Sequence, residues 1–392
     1  MSQEKTTGPM RLDSIDFMRG FVMIIMALDH VRDYVFLGSI DPQNLDETTP
    51  ALFFSRWITN LCAPVFIVLA GLSVGIMAKR MEKPALTRFL LTRGLWLVFI
   101  EMTVISLGWN FTNFQSWFIG LQVICAIGVS MIALAGLIWL PRTAIIGVCA
   151  VILLGHGLID DVWPSSFSFY TNPVPFYQVL TDTGLVMVAG IPMFVLYPIG
   201  MWVGVIAFGY LIAPLFDKEE GDLRRTLIRS GLAMLALFLV LRGFNLYGDP
   251  FPWTDQNTLA KDIMAFLTIN KYPPSLSFLL VTLGISAVLM GLIKSYSSPL
   301  KQAIITLGRV PFFYYILHIY LIHLIALIMA EIQGFGYATA MPGWWLLPPE
   351  LGVNLYWTWV IWIAVVIGLY PACKWFAGVK KRNKHITILK YL

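Results

Sequence analysis

The chain has 392 residues, 58% of them hydrophobic and only 12% charged, with a mean hydropathy of +0.75. That composition excludes a soluble globular protein, and a net charge of +5 does not indicate nucleic-acid binding. Cys62, Cys125, Cys149 and Cys373 lie in apolar runs at no metal-like spacing and read as small buried residues.

The N-terminus is short and polar and is followed by a charged helix start, so no cleaved signal peptide is expected. About ten apolar segments follow, each long enough to cross a bilayer as a helix. They run near Phe17–Leu37, Leu52–Ala78, Phe89–Trp109, Phe118–Leu140, Thr143–Leu158, Ile191–Ile212, Leu227–Phe244, Leu276–Ile293, Pro311–Ile332 and Leu355–Phe376. Pro64, Pro192 and Pro198 fall inside these segments, as membrane helices tolerate. The stretches Ile159–Gly190 and Asn245–Ser275 are rich in Pro, Asp, Asn and aromatics and read as ordered caps. No segment is polar and long enough for a separate soluble domain. The expectation is an all-α polytopic membrane protein forming one domain over residues 1–392.

Charge placement orients it. Only Arg32, Arg56, Arg242, Lys261 and Lys271, five of the 27 basic residues, fall on one set of loops. The rest, including Lys5, Lys79 to Arg93, Arg142, Lys218 to Arg229, Lys294 to Arg309 and the tail to Lys390, fall on the other. This alternation places both termini in the cytoplasm. The outer loops are acidic or neutral, as at Asp41, Asp46, Glu47, Asp160, Asp161 and Asp182. Trp109, Trp117, Trp139, Trp163, Trp344, Trp345 and Trp357 fall near span ends and read as interfacial belts.

The first segment, Arg11 to Tyr34, stands apart. Its apolar run Gly20–Leu28 is flanked by Asp13, Asp16 and Arg19 on one side and by Asp29, His30, Arg32 and Asp33 on the other. Charges at membrane depth usually face a polar cavity. His30 lies about 20 Å along the helix from Phe17, in the outer part of the bilayer. Imidazole is the usual general base near neutral pH, so His30 is the leading catalytic candidate, with an interfacial histidine satisfied by water as the alternative. Asp29 points about 100° away from it, and Asp33 can return toward either. Asp16 and Arg19 can pair on one face, either as a cytoplasmic anchor or as part of an anion site.

Further along, Glu101 is the most deeply placed carboxylate, and a buried ion pair between spans would explain it. Gln122 could donate to a ligand or bridge two helices. Tyr314, His318 and Ile322 share a face of the ninth segment, with His323 about 140° away, so the two histidines are not a metal pair. His318 could line the same cavity as His30 or be hydrogen-bonded between helices. No Walker motif, dinucleotide glycine fingerprint, serine elbow or zinc signature is present, and no metal is expected.

These residues carry a resemblance. Arg11 to His30, RLDSIDFMRGFVMIIMALDH, is similar to the opening R-x-x-S-[LIV]-D-x-x-R-G signature of the heparan-alpha-glucosaminide N-acetyltransferase family, within a wider group of transmembrane acyltransferases. Ser55–Gly71, Gly120–Gly128 and Gly308–Leu324 fit its bacterial branch. The resemblance implies a multi-span enzyme taking acetyl from cytosolic acetyl-CoA to a sugar on the other side. The lysosomal members carry Asn at the position of His30, with their proposed active histidine in the following loop; here that loop, Gly38 to Leu52, has no histidine. Related membrane O-acyltransferases have a histidine at the end of the first span, as here.

Together these readings place His30 as general base with Asp29 beside it. Arg19, Asn60, Gln122, His318 and Arg242 are the candidate substrate and acyl-CoA contacts, Asn60 and Gln122 as donors to the thioester oxygen. The expected partners are acyl-CoA, a sugar or glycan acceptor and the lipid bilayer, with a homodimer as one assembly, in a bacterial inner membrane. The reading from a different class is a transporter or flippase for a small polar or lipid-linked molecule, in which the same charges line a path.

Overall fold

The computed structural model describes residues 9–38, 40–112, 119–160, 179–188, 190–293, 298–383, 385–386 and 389. Lys5, Trp117, Asp161, Trp163, Lys294, Lys384 and Lys390, the predicted start of the fourth segment at Phe118 and most of the cap Ile159–Gly190 lie outside the described residues. In chain order the helices are α1 (Pro9–Val35), α2 (Pro50–Trp57), α3 (Cys62–Met77), α4 (Lys83–Ile100), α5 (Ser106–Trp109), α6 (Val123–Leu137), α7 (Arg142–Asp160), α8 (Ile199–Ile212), α9 (Glu220–Gly243), α10 (Leu259–Leu267), α11 (Leu276–Leu292), α12 (Pro299–Arg309), α13 (Pro311–Ile332) and α14 (Leu355–Arg382). The strands are β1 (Ile119–Leu121), β2 (Gly184–Val188) and β3 (Ile191–Val195).

Among the described residues, 6 helical stretches are long and apolar enough to cross a membrane: Pro50–Met77, Lys83–Trp109, Ile199–Asp217, Glu220–Gly243, Pro311–Ile332 and Leu355–Arg382. Val123–Leu137, Arg142–Leu158 and Leu276–Leu292 are shorter apolar helices. α1 has 27 residues, ample length at about 1.5 Å per residue, and it is the charges at its two ends that keep it out of the apolar set.

Hydrophobicity cannot hold helices together where their surroundings are equally apolar, so close backbone approach has to do it. Four helix pairs do so through facing glycines. A Cβ on Gly20 of α1 would collide with the Ile304 carbonyl of α12, and one on Gly308 would collide with the Asp16 carbonyl. Gly71 and Gly209 join α3 to α8, Gly94 and Gly128 join α4 to α6, and Gly231 and Gly284 join α9 to α11 in the same reciprocal way. α1 also packs against α3, α13 and α14, which puts it at the centre of the molecule. Trp362 Nε1 of α14 donates to the Ile24 carbonyl of α1 at 2.7 Å. At the C-terminal end of α1, Leu37 N donates to Val353 O (2.8 Å) and Val353 N to Val35 O (2.7 Å). Gly352, at φ +140°, lies so close to Val35 and Leu37 that a side chain has no room there.

Three departures from the sequence reading have physical causes. Ile191 to Val195 is strand β3, not the start of a helix, and Ile119 to Leu121 is β1. Short apolar runs fit either structure, and only tertiary pairing decides. β1 pairs parallel to β3 from Met193 onward, while β2 pairs antiparallel along all of β3, so Pro192 sits where β3 has a neighbour on one side only. Pro198 caps α8 instead of lying within it, and Pro64 occupies the first turn of α3, where no intrahelical N–H is required. Finally, α12 fills a stretch read as cytoplasmic loop. Ser298 caps it by accepting from Lys301 N at 3.1 Å, Pro299 starts it, and it buries Ile305 and Leu307 on one side.

Candidate active site

The C-terminal half of α1 carries the site. His30 faces α13, and its Nδ1 lies 2.7 Å from Nε2 of His318, with the rings 5.0 Å apart at 17°. His318 is fully buried, and its Nδ1 is 3.1 Å from the Tyr314 carbonyl. This chain of contacts fixes the hydrogens. A carbonyl can only accept, so His318 Nδ1 donates to Tyr314, and Nε2 of the neutral ring carries the lone pair. His30 Nδ1 must then donate to His318, which leaves the lone pair of His30 on Nε2. Among the described residues nothing hydrogen-bonds to that Nε2, and His30 is only half-buried. Trp109 packs edge-on to the His30 ring at 4.8 Å and Tyr315 at 6.2 Å. Trp109 is 4% exposed and its neighbour Tyr34 stacks on it at 5.9 Å, so it is a wall of the site and not part of an interfacial belt.

Asp29 faces the other way, toward the break between α2 and α3. Arg32 Nη2 lies 2.8 Å from Asp29 Oδ1 and 2.6 Å from Asp33 Oδ1. The first is a charge contact without hydrogen-bond alignment, so Oδ1 keeps an unused lone pair. Arg56 Nη1 reaches Asp29 Oδ2 at 3.5 Å, Thr59 Oγ1 at 3.0 Å and Asn60 Oδ1 at 3.2 Å. The 3-10 turn Ile58–Leu61 between α2 and α3 is what swings Thr59 and Asn60 toward Arg56. Asn60 is 2% exposed and Arg32 7%, yet Asn60 Nδ2 and Arg32 Nη1 have no partner among the described residues. The Tyr315 hydroxyl and the Trp109 indole N–H are likewise buried, near each other and with no other partner among the described residues. Such unmade bonds are costly inside a protein and mark a place for a ligand or water.

A model of the family described as heparan-alpha-glucosaminide N-acetyltransferase, catalytic, matches residues 11–246. The chain belongs to this family. No curated protein matches the chain. For an N-acetyltransferase of this family the matched span holds Arg19, Asp29, His30, Asn60, Glu101, Gln122 and Arg242, while Lys271 and His318 lie beyond it.

The remaining candidates occupy three separate places. Glu101 is fully buried within the π-helical turn Glu101–Ile105, and its Oε2 accepts from Cys125 N at 2.9 Å, with the Ile124 and Gln122 amides also directed at it. The carboxyl group therefore caps the N-terminus of α6 instead of pairing with a cation between spans. Gln122 is held by its backbone at this junction, and its side chain makes no hydrogen bond with His30. Arg19 is at the opposite end of α1, 3.2 Å from Asp16 and 2.5 Å from Ser73 Oγ, with Arg309 bridging to Asp13 at 3.0 Å and Asp16 at 3.5 Å. Arg242 donates to the carbonyls of Phe251 (2.6 Å), Ala265 (3.2 Å), Phe266 (3.0 Å) and Thr268 (2.5 Å), and lies 3.7 Å from Asp249. It staples the segment around α10 and does not join the His30 cluster.

Two groups at the site are not among the candidates read from the sequence. Arg56 is a lone cation in the last turn of α2, inside the family-like stretch Ser55–Gly71, and Lys271 lies in a Pro-rich segment between α10 and α11; both are basic where the neighbouring loops are otherwise acidic or neutral. Tyr272, beside Lys271, is 3.4 Å from the Tyr197 hydroxyl and closes the wall between these residues and α8.

Proposed function

We propose that the protein moves an acetyl or other acyl group from cytosolic acyl-CoA to an amino or hydroxyl group of a sugar or glycan on the outer side of a bacterial inner membrane. It works as one domain over residues 1–392, with ten spans and both termini cytoplasmic. The observation that supports this most is the His30–His318–Tyr314 series, because it leaves an unprotonated Nε2 on the half-buried His30 without a partner among the described residues. That nitrogen takes the proton of the acceptor as its nitrogen or oxygen attacks the thioester carbon. His318 is a positioning residue. It fixes the tautomer of His30 and accepts from the imidazolium that forms. Asp29, held by Arg32 and Arg56, orients Asn60, whose unpaired Nδ2 is a donor for the thioester oxygen. The nucleotide end of acyl-CoA belongs at the cytoplasmic end of α1, where Arg19 and Arg309 lie beside Lys380.

The test is transfer of labelled acetyl from acetyl-CoA to amino-sugar and glycan acceptors by purified protein in detergent, beside a binding isotherm for the thioester. His30→Ala is expected to lower turnover about 10²–10⁴-fold with binding retained. Wild-type turnover in that variant removes His30 from the chemistry. Wild-type protein that neither binds nor consumes acyl-CoA, while reconstituted vesicles move a solute, establishes a transporter or flippase instead.

A further inference from the structure

Lys271 is 7% exposed and sits in the outer segment between α10 and α11. Among the described residues its ammonium has no hydrogen bond and no ion pair; its contact is the face of the Tyr272 ring, 5.1 Å from Nζ to the ring centre. It lies within electrostatic reach of both Asp29 and His30. The carboxylates close by are already taken: Arg32 holds Asp29 and Asp33, and Arg56 holds Asp29. Arg32, Arg56 and Lys271 against Asp29 and Asp33 leave one positive charge in excess. A buried ammonium without a counter-charge is costly to keep. The buried groups of the Asp29–Arg56 cluster that lack partners among the described residues, Asn60 Nδ2 and Arg32 Nη1, are also donors. A group that meets these donors is therefore an acceptor that carries negative charge.

We infer that Lys271 is a catalytic residue that stabilises the oxyanion formed during acyl transfer. This rests on the acyltransferase reading given above. The thioester and a neutral acceptor bring no net charge to the site, so the ammonium stays unmatched while they bind. As the acceptor attacks, its nitrogen or oxygen bonds to the thioester carbon and its proton passes to His30 Nε2. The π electrons of the carbonyl move onto oxygen, and that O⁻ is the charge Lys271 matches, with Asn60 Nδ2 as a second donor. When the intermediate collapses, C=O re-forms, the C–S bond breaks and the departing thiolate takes the proton back from His30. Lys271 is thus paired only around the transition state, the arrangement that raises turnover and not ground-state affinity.

Lys271→Gln and Lys271→Met remove the charge, the second with an apolar side chain suited to a buried position. Both are compared with wild type for transfer kinetics and for binding of a non-hydrolysable thioether analogue of acetyl-CoA, which reports an intact fold. The expected result is a fall in kcat of about 10²–10³-fold, with KM for both substrates within about threefold of wild type and analogue binding retained. Lys271→Arg should recover part of the loss. Wild-type kcat in either neutral variant overturns the inference. So does retained kcat with a raised KM for the acceptor, because the ammonium would then be holding an anionic group of the acceptor. Wild-type protein that fails to consume acetyl-CoA refutes the acyltransferase reading itself, whereas normal turnover in the variants refutes only the role of Lys271.

Discussion

Replacing His318 with Ala removes the acceptor that His30 Nδ1 uses at 2.7 Å and frees the ring to take either tautomer. The size of the effect follows from what the bond does during turnover. In the resting site it is a neutral hydrogen bond worth about 0.5–1.5 kcal/mol; once His30 takes the acceptor's proton it becomes charge-assisted, at about 1.5–3 kcal/mol. Only the difference reaches the rate. With a small addition for the lost tautomer preference, the sum is about 1–2 kcal/mol, or about 5- to 30-fold in kcat. Loss of His30 itself should cost more, about 10²–10⁴-fold. Because His318 acts through His30, the double variant should be no slower than His30→Ala alone. The assay is single-turnover acetyl transfer by the two single variants and the double, with thioester binding measured in each. Full kcat in His318→Ala, or a double variant slower by the product of the two single effects, refutes the relay.

Two stability predictions come from the frame around the site. Gly308→Val drives a side chain into the Asp16 carbonyl of α1 and should lower the melting temperature in detergent sharply, with a cost beyond the about 1–3 kcal/mol usual for overpacking because the obstacle is backbone; unchanged melting would show that α1 and α12 can part freely. His323→Ala deprives two buried carbonyls, Gly108 O and Ala340 O, of ring nitrogens that lie 2.8 Å from each, and also removes the ring stacked on Phe111 at 3.8 Å. A loss of about 2–4 kcal/mol is expected, read as a lower melting temperature with acyl-CoA affinity retained, and wild-type melting would refute it.

The elements were legible wherever length and apolarity sufficed. Each of the predicted apolar segments contains a helix, although Phe118–Leu140 and Ile191–Ile212 also take in strands β1 and β3, since a run such as Pro311–Ile332 has no other way to satisfy its backbone in an apolar setting. Legibility failed where the same composition serves two structures, as in Ile191–Val195, and where a helix is short and one-sided, as α12 is. His30 could be singled out because ionisable groups crowd the end of an apolar run, and His318 because it lies mid-segment. Their contact could not be read, because 288 residues separate them and the rotation of each helix is set by packing. The glycines that help set that packing look in a sequence like weak points of a helix, and only the facing partner shows why Gly20 and Gly308 are there.

Charge was the most misleading signal, and the reason is instructive. Arg242, in the last turn of α9, and Lys271, between α10 and α11, are both lone cations, and the sequence offers no ground for ranking one above the other. The fold separates them by what they meet. Arg242 is surrounded by the carbonyls left open where α10 ends and the chain turns, so its fork of donors is used up in holding that turn. Lys271 is presented instead to a site whose carboxylates already have arginine partners. A satisfied cation stabilises the structure it sits in, whereas an unsatisfied one raises the free energy of the resting protein and lowers it again only when an anion arrives. Side-chain identity is the same kind of evidence in both cases; the inventory of acceptors within reach is what assigns the first to the scaffold and the second to chemistry.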